Sequence, residues 1–264
     1  MTRNGEILGL RAKYWLFWRL VWQDVRVTYA GTMLGIGWII VGPLLLLVLY
    51  SLIYAVIFRV RVPNFTVEEY IINVFSGLVP FLAFAQALSA STGAIQRGKG
   101  LLSNAAFPHD LVPLKPVGAA YIILPVGLRF TLLGDLVFSR VTWTWLAVPL
   151  VAALQMLFSM GIGYVVSMIG LVARDMQFLV QYIVMALLIA TPIAYTPDMI
   201  PPFLLPLLYA NPVFYYIYSY QNLILMNQLP PWHVSAVGTA LALGTFFGGR
   251  WFFRRTRGVI GDLL

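Results

Sequence analysis

Six long apolar stretches run through the 264 residues on short connections, and basic residues gather on alternate connections. Backbone N–H and C=O groups in hydrocarbon find no water, so each stretch that crosses a bilayer is restricted to a helix. Hydrophobic residues make up 61% of the chain and charged residues 10%, a balance that belongs in a membrane. Six spans of about twenty residues each use up nearly half the chain. The connections are too short for a soluble catalytic domain. The expected fold is therefore all-α, a single integral membrane domain over residues 1–264 with a six-span bundle at 33–253.

The spans read as 33–58, 70–93, 115–138, 143–172, 177–195 and 234–253. Gly31, Gly35 and Gly37 open the first, and Pro43 bends it. With an even number of spans, both termini and the second and fourth connections share one side. That side holds thirteen of the seventeen Lys and Arg residues. The opposite side holds Arg59, Arg61 and Arg140, and Arg129 lies within a span. This asymmetry places both termini in the cytoplasm. It also accounts for the net charge of +8 without nucleic acid, because the positives sit in short loops beside apolar spans.

Two segments depart from the simple pattern. Residues 10–30 interleave Arg11, Lys13, Arg19 and Arg26 with Tyr14, Trp15, Phe17, Trp18, Trp22 and Tyr29. Such a segment reads as a helix along the cytoplasmic leaflet with its aromatic face among the headgroups, or as an ordinary aromatic and basic anchor for the first span. Residues 196–232 lack Lys and Arg, yet carry prolines at 197, 201, 202, 206, 212, 230 and 231. An aqueous loop is rarely so apolar, and a full span with so many prolines would lose its backbone hydrogen bonds. Short helices dipping into the outer leaflet satisfy both limits. A seventh span at 203–225 is the competing reading, and it would move the Arg-rich C-terminus outside.

Catalytic signals are sparse. The chain has no cysteine, which excludes disulfides, thiolate metal sites and cysteine nucleophiles. The N-terminal residues run into amphipathic sequence, so no removable signal peptide is expected. Gly93 to Gly100 nearly matches a phosphate loop, but Gly100 replaces the hydroxyl residue that would bind magnesium, and the segment follows a membrane helix. ATP hydrolysis by this chain is not expected. No HExxH or GxSxG occurs, and His109 and His233 fall on opposite faces of the membrane. Arg129 and Asp135 are costly in lipid and face the bundle interior, snorkel or pair. Gly244 and Gly248 form a GxxxG in the last span. Trp38, Tyr50, Tyr54, Phe81, Phe84, Tyr182 and Tyr195 lie within or near spans. Each aromatic alone is accounted for by packing, but collectively they suit a path for a sugar chain, since pyranose C–H faces stack on aromatic rings and slide.

Three passages then combine. The first is Trp22-Gln23-Asp24-Val25-Arg26-Val27-Thr28-Tyr29 running into Leu34-Gly35-Ile36-Gly37-Trp38 and Pro43. The second is Gly77-Leu78-Val79-Pro80-Phe81, then Asn104 and Phe107-Pro108. The third is Ala173-Arg174-Asp175, then Thr191-Pro192-Ile193-Ala194-Tyr195, Ile200-Pro201 and Tyr209-Ala210-Asn211-Pro212. In this order, over nearly the whole chain, they resemble the permease of type-2 ABC exporters for O-antigen, capsule and teichoic acid.

The resemblance implies a homodimer in the bacterial cytoplasmic (inner) membrane, bound to two copies of a separate ABC ATPase that carries ATP and magnesium. It implies no cofactor on this chain and a polyprenyl-diphosphate-linked polysaccharide as substrate. It assigns ATPase coupling to Arg19, Asp24, Arg26, the segment 96–110 with Arg97, Lys99, Phe107, Pro108, His109 and Asp110, and the Arg174-Asp175 pair. It places an external re-entrant gate at 196–232, with Pro192, Tyr195, Pro197, Pro201, Asn211 and Pro212. Gly98 and Gly100 are poor helix formers within the coupling segment. Competing readings are a drug or small-lipid exporter of the same architecture, a membrane-embedded glycolipid enzyme using His109 and Asp110, and a scaffold subunit.

Overall fold

The computed structural model describes residues 10–53, 66–102, 107–138 and 142–258. Tyr54, Phe58, Arg59, Arg61, Asn104 and Arg140 lie outside the described residues. Every regular element among the described residues is helical. The first, α1 (Leu10–Tyr29), turns at Gly31 and Gly35, whose φ angles of +76° and +52° admit glycine with least strain. Next, α2 (Trp38–Ser51) carries the internal Pro43.

α3 (Val67–Ser91) starts at a capping box in which Glu69 N–H donates to Thr66 and Thr66 N–H donates to Glu69. Two single-turn helices follow, α4 (Ala94–Arg97) and α5 (Lys99–Leu102), broken at Gly98. The third apolar stretch is α6 (Leu114–Ala120) and α7 (Ile123–Phe138). The break falls four residues before Pro125, whose ring excludes the Tyr121 carbonyl from a helical bond.

α8 (Val148–Val172) and α9 (Met176–Ala190) bracket the Arg174-Asp175 loop. The proline-rich stretch holds two 3-10 turns, α10 (Leu205–Ala210) and α11 (Phe214–Ile224). A helix of six residues and one of eleven are too short to cross, so the competing seventh span at 203–225 does not form; the chain breaks at Asn211-Pro212. α12 (Trp232–Thr256) closes the described chain.

Among the described residues, three helical stretches are long and apolar enough to cross a membrane: Val67–Ser91, His109–Val137 and Trp143–Val172. Gly35–Tyr50 and Met176–Ala190 are apolar but shorter. α12 has the length, but its glycines, threonines and arginines make it less apolar.

The core forms where α3, α6, α7, α8 and α11 meet, around Phe75, Phe81, Phe84, Phe158 and Tyr220. α8 runs against α12 with backbone touching backbone. A Cβ on Gly161 would fall 2.3 Å from the Thr245 carbonyl carbon, and one on Gly249 would fall 2.1 Å from the Gly161 oxygen. This is the small-residue packing that lipid-embedded helices use, but the residues differ from the GxxxG read in the sequence. Gly244 and Gly248 have open space where a Cβ would sit. Ala242, Thr245, Gly249 and Phe253 form the crossing face, since one residue along a helix rotates the side chain by about 100°. Asp135 is fully buried and Arg129 exposed, as a spacing of about 1.7 turns dictates.

The two glycine faces make opposite predictions. Gly161→Leu forces α8 and α12 apart and destabilises the protein by about 1–3 kcal/mol or more. Gly244→Leu, entering open space, leaves the melting temperature of the detergent-purified protein near that of the parent. Comparable melting of both variants would show the crossing to be elsewhere.

Candidate functional site

The residues after α3 lie beside the α8–α9 loop, and Asp110 lies beside the end of α12. After α3, Thr92 folds the chain against α8, where Gly170 leaves room: a Cβ there would lie 2.1 Å from the Thr92 oxygen. Gln96 then donates to the Gly170 carbonyl at 3.1 Å. The Arg97 guanidinium donates back to the Ala90 carbonyl, which holds α4 against the end of α3. Thr92, Gln96, Arg174 and Gln177 line a polar cavity of about 400 Å³ between this segment and the loop joining α8 to α9. Arg97, Lys99, Arg174 and Asp175 are exposed around it. Gln96, at the start of the 96–110 segment, and Arg174, far apart in sequence, are thus adjacent.

The close of that segment is fastened separately. Pro108 is extended, and a 3-10 turn over His109–Leu111 leads into α6. Asp110 accepts from Arg254 at 3.4 Å, with Arg250 at 4.0 Å, both from the end of α12. Phe107 and Leu111 pack beside Tyr164 and Phe253 in a small second core. His109 buries Nε2 without a hydrogen-bond partner among the described residues. Asp110 and His109 therefore face different surroundings, one an arginine pair and one an enclosed wall.

The N-terminal helix contributes a third part. Leu20, Val21 and Val25 form a buried stripe at helical spacing, while Tyr14, Trp15, Trp18 and Trp22 remain exposed on the other faces. Arg19 stacks over Trp15 at 4.4 Å and Arg26 over Trp22 at 5.9 Å. Asp24 instead turns inward to Lys115 at 2.8 Å. Where α1 ends, Thr28, Tyr29, Trp38, Gly42, Leu46 and Gln86 help line a groove of about 620 Å³. Burial raises the Tyr29 phenol above its ordinary value, opposed by a side-chain hydrogen bond with Gln86.

Lys115, Arg250 and Arg254 are site residues that the sequence shows only as positive charge near a membrane. An acid amid many bases has several possible partners, and pattern alone does not select one.

The aromatic candidates divide by environment. Phe81 and Phe84 are core residues; Phe84 stacks on Phe158 at 5.9 Å, and Phe158 meets Tyr216 at 5.2 Å. Neither lines an open path on this chain, because the crowded α3–α8–α11 junction encloses them. Trp38 and Tyr182 are exposed, and Tyr50 is half-buried, on α2 and α9. Tyr195 donates to the Ile189 carbonyl at 3.1 Å beside the turn that ends α9.

At that turn the proline-rich stretch is tied down. Asn211 donates to Thr191 at 2.8 Å and accepts from the Val213 N–H at 2.9 Å, while Gln221 donates to the Pro192 carbonyl at 2.9 Å. Pro192 and Asn211 are buried together, Pro212 is half-buried beside them, Pro197 is partly exposed, and Pro201 is exposed.

No family model matches the chain. Curated relatives do. An O-antigen export system permease protein RfbA of Klebsiella pneumoniae is 30% identical over 211 residues, 78% of this chain and 79% of the relative. A second RfbA from the same species is 29% identical over 211 residues, with the same coverage. RfbA of Myxococcus xanthus is 26% identical over 214 residues, 80% of each chain.

Asn211→Leu leaves the buried Val213 N–H and the Thr191 hydroxyl short of a partner, a loss of about 1–3 kcal/mol. Pro201→Ala, on the exposed rim, changes stability by no more than about 0.5 kcal/mol. Thermal melts of the two purified variants check this; equal melting would mean that the Asn211 contacts do not hold the segment.

Proposed function

The chain belongs to the O-antigen export permease family, and from that footing we propose that it is the membrane-spanning subunit of an ATP-driven exporter. Its cargo is a polyprenyl-diphosphate-linked polysaccharide carried from the inner to the outer leaflet of the bacterial cytoplasmic membrane. The observation that carries this reading is the 30% identity over 211 residues to an O-antigen export permease.

Six spans follow if α2, α9 and α12 cross alongside α3, the α6–α7 pair and α8. The positive-residue asymmetry then puts both termini in the cytoplasm. ATP and magnesium reside on a separate ATPase, two copies serving a permease homodimer. The surface offered to that ATPase is the end where the 96–110 segment meets Arg174 and Asp175.

Support for a homodimer comes from α9. Val180 is its one buried residue, and Phe178, Leu179, Tyr182, Met185 and Ile189 are all more than half exposed. A second copy covering α9 and α2 would place Tyr182, Trp38 and Tyr50 along the seam, where a sugar chain could slide. Residues 196–232 close the outer end as a re-entrant gate. Arg19, Arg26, Arg97 and Lys99, on the cytoplasmic face, attract the diphosphate electrostatically.

Depletion of the protein in its host tests the reading. Lipid-linked polymer should accumulate on the cytoplasmic side while the surface loses its glycan. An unchanged surface glycan would remove polysaccharide export and favour drug or small-lipid efflux. The Arg97→Ala, Lys99→Ala double variant, at normal membrane levels, should lower export. Unchanged export would remove the diphosphate role of these two residues.

A further inference from the structure

Asp24 sits among the exposed aromatics and arginines of α1, yet its carboxylate is spent inside the chain. Lys115 Nζ lies 2.8 Å from Asp24 Oδ1, with both side chains about four-fifths covered (19% and 22% exposed). One turn back along α1, Val21 and Phe17 fill a notch on α6. A Cβ on Gly118 would fall 2.4 Å from Val21 Cγ2 and 2.9 Å from Phe17 Cζ, so only glycine lets the helices approach this closely. Val21 itself is fully buried. The ion pair and the notch lie on the same helix faces, at spacings of three residues on each helix. A helix held only by lipid would need neither.

α6 begins three residues after the His109–Leu111 turn, which Asp110 fastens to α12. The chain from that turn to α1 is therefore continuous in packing. Resting on the export reading above, we infer that Asp24 and Lys115 are positioning residues that join α1 to α6 as one moving unit. A displacement delivered to the 96–110 segment is passed through α6 to the interfacial helix, and Asp24 is not part of the surface that meets the ATPase.

Charge exchange tests the pair. In a depleted host, Asp24→Lys or Lys115→Asp alone sets like charges together and shifts the docked population on the order of tenfold. Surface glycan should fall accordingly at wild-type membrane levels, and the combined exchange should restore it. Lys115→Arg, which keeps the charge, should leave export near wild type. Single reversals without effect would overturn the inference. So would an Asp24→Lys defect that the exchange fails to correct, which would return Asp24 to the ATPase surface.

A cross-link tests the unit. The chain has no cysteine, so Asp24→Cys with Lys115→Cys provides a single pair, which a short, reducible bifunctional thiol reagent can span in place of the ion pair. In membrane vesicles holding the permease with its ATPase, the reagent should join the pair and raise ATP-dependent transport toward wild type. Transport abolished by the reagent and recovered with reductant would show that α1 must leave α6 during the cycle, overturning the inference. Cross-link yield reads the contact without any export assay. A wild-type copy that fails to restore surface glycan would thus remove the export reading, whereas a poor cross-link would remove the docking.

Discussion

Backbone contact along α8 is the constraint on which the rest of the molecule depends. In hydrocarbon, apolar side chains gain little by leaving lipid for one another, so helices associate where their backbones can come close. Gly161 admits α12, and Gly170 admits the turn at Thr92. The first contact holds the end of α12, and with it Arg250 and Arg254, over Asp110. The second holds the start of the 96–110 segment beside the Arg174 loop. A methyl group at either glycine would push away a partner that carries part of the candidate site.

The same helix anchors the buried polar groups. Gln155 is fully enclosed, donating to the Pro80 carbonyl at 3.0 Å and accepting from Tyr220 at 3.1 Å. Tyr121 is 2.7 Å from the Ser159 hydroxyl. In a low-dielectric interior such bonds are strong when complete and costly when broken. They tie α3, the α6–α7 break and α11 to α8, so the interrupted helices have defined positions despite their prolines. Thr144 does likewise, donating to the Leu223 carbonyl at 2.8 Å. The short helices before α12 can therefore stay short. The ends of α11, at Val213 and Leu225, lie buried in protein, where partners exist, and not in lipid, where none do.

Against this fixed core, α2 and α9 are set apart by their exposure. Their outer faces are apolar and uncovered in the single chain, the feature on which the proposed homodimer rests. Asp110 is linked to α12 by pairs that are individually weak, since its partners Arg250 and Arg254 are 41% and 52% exposed and exposed pairs contribute at most about 1 kcal/mol each. Weak links of this kind position a segment without freezing it.

Much of this was legible beforehand. Run lengths, the helix-only rule in lipid and the distribution of lysine and arginine identify a helical membrane protein. The prolines between 196 and 232 forbid an unbroken span there, and Gly98 interrupts the 96–110 segment. These are local properties, decided by each residue's own backbone and neighbours. The sequence did not show which glycine faces another helix: Gly244 and Gly248 form the recognisable motif, yet Gly249 makes the contact. Nor did it show that Asp24 belongs to Lys115, that Asp110 belongs to Arg254, or that Phe81 and Phe84 are enclosed. Composition and periodicity determine that a stretch is helical and apolar, because those depend on short-range sterics and solvation. Which faces meet depends on how helices distant in sequence rotate against one another, and only the tertiary structure decides that.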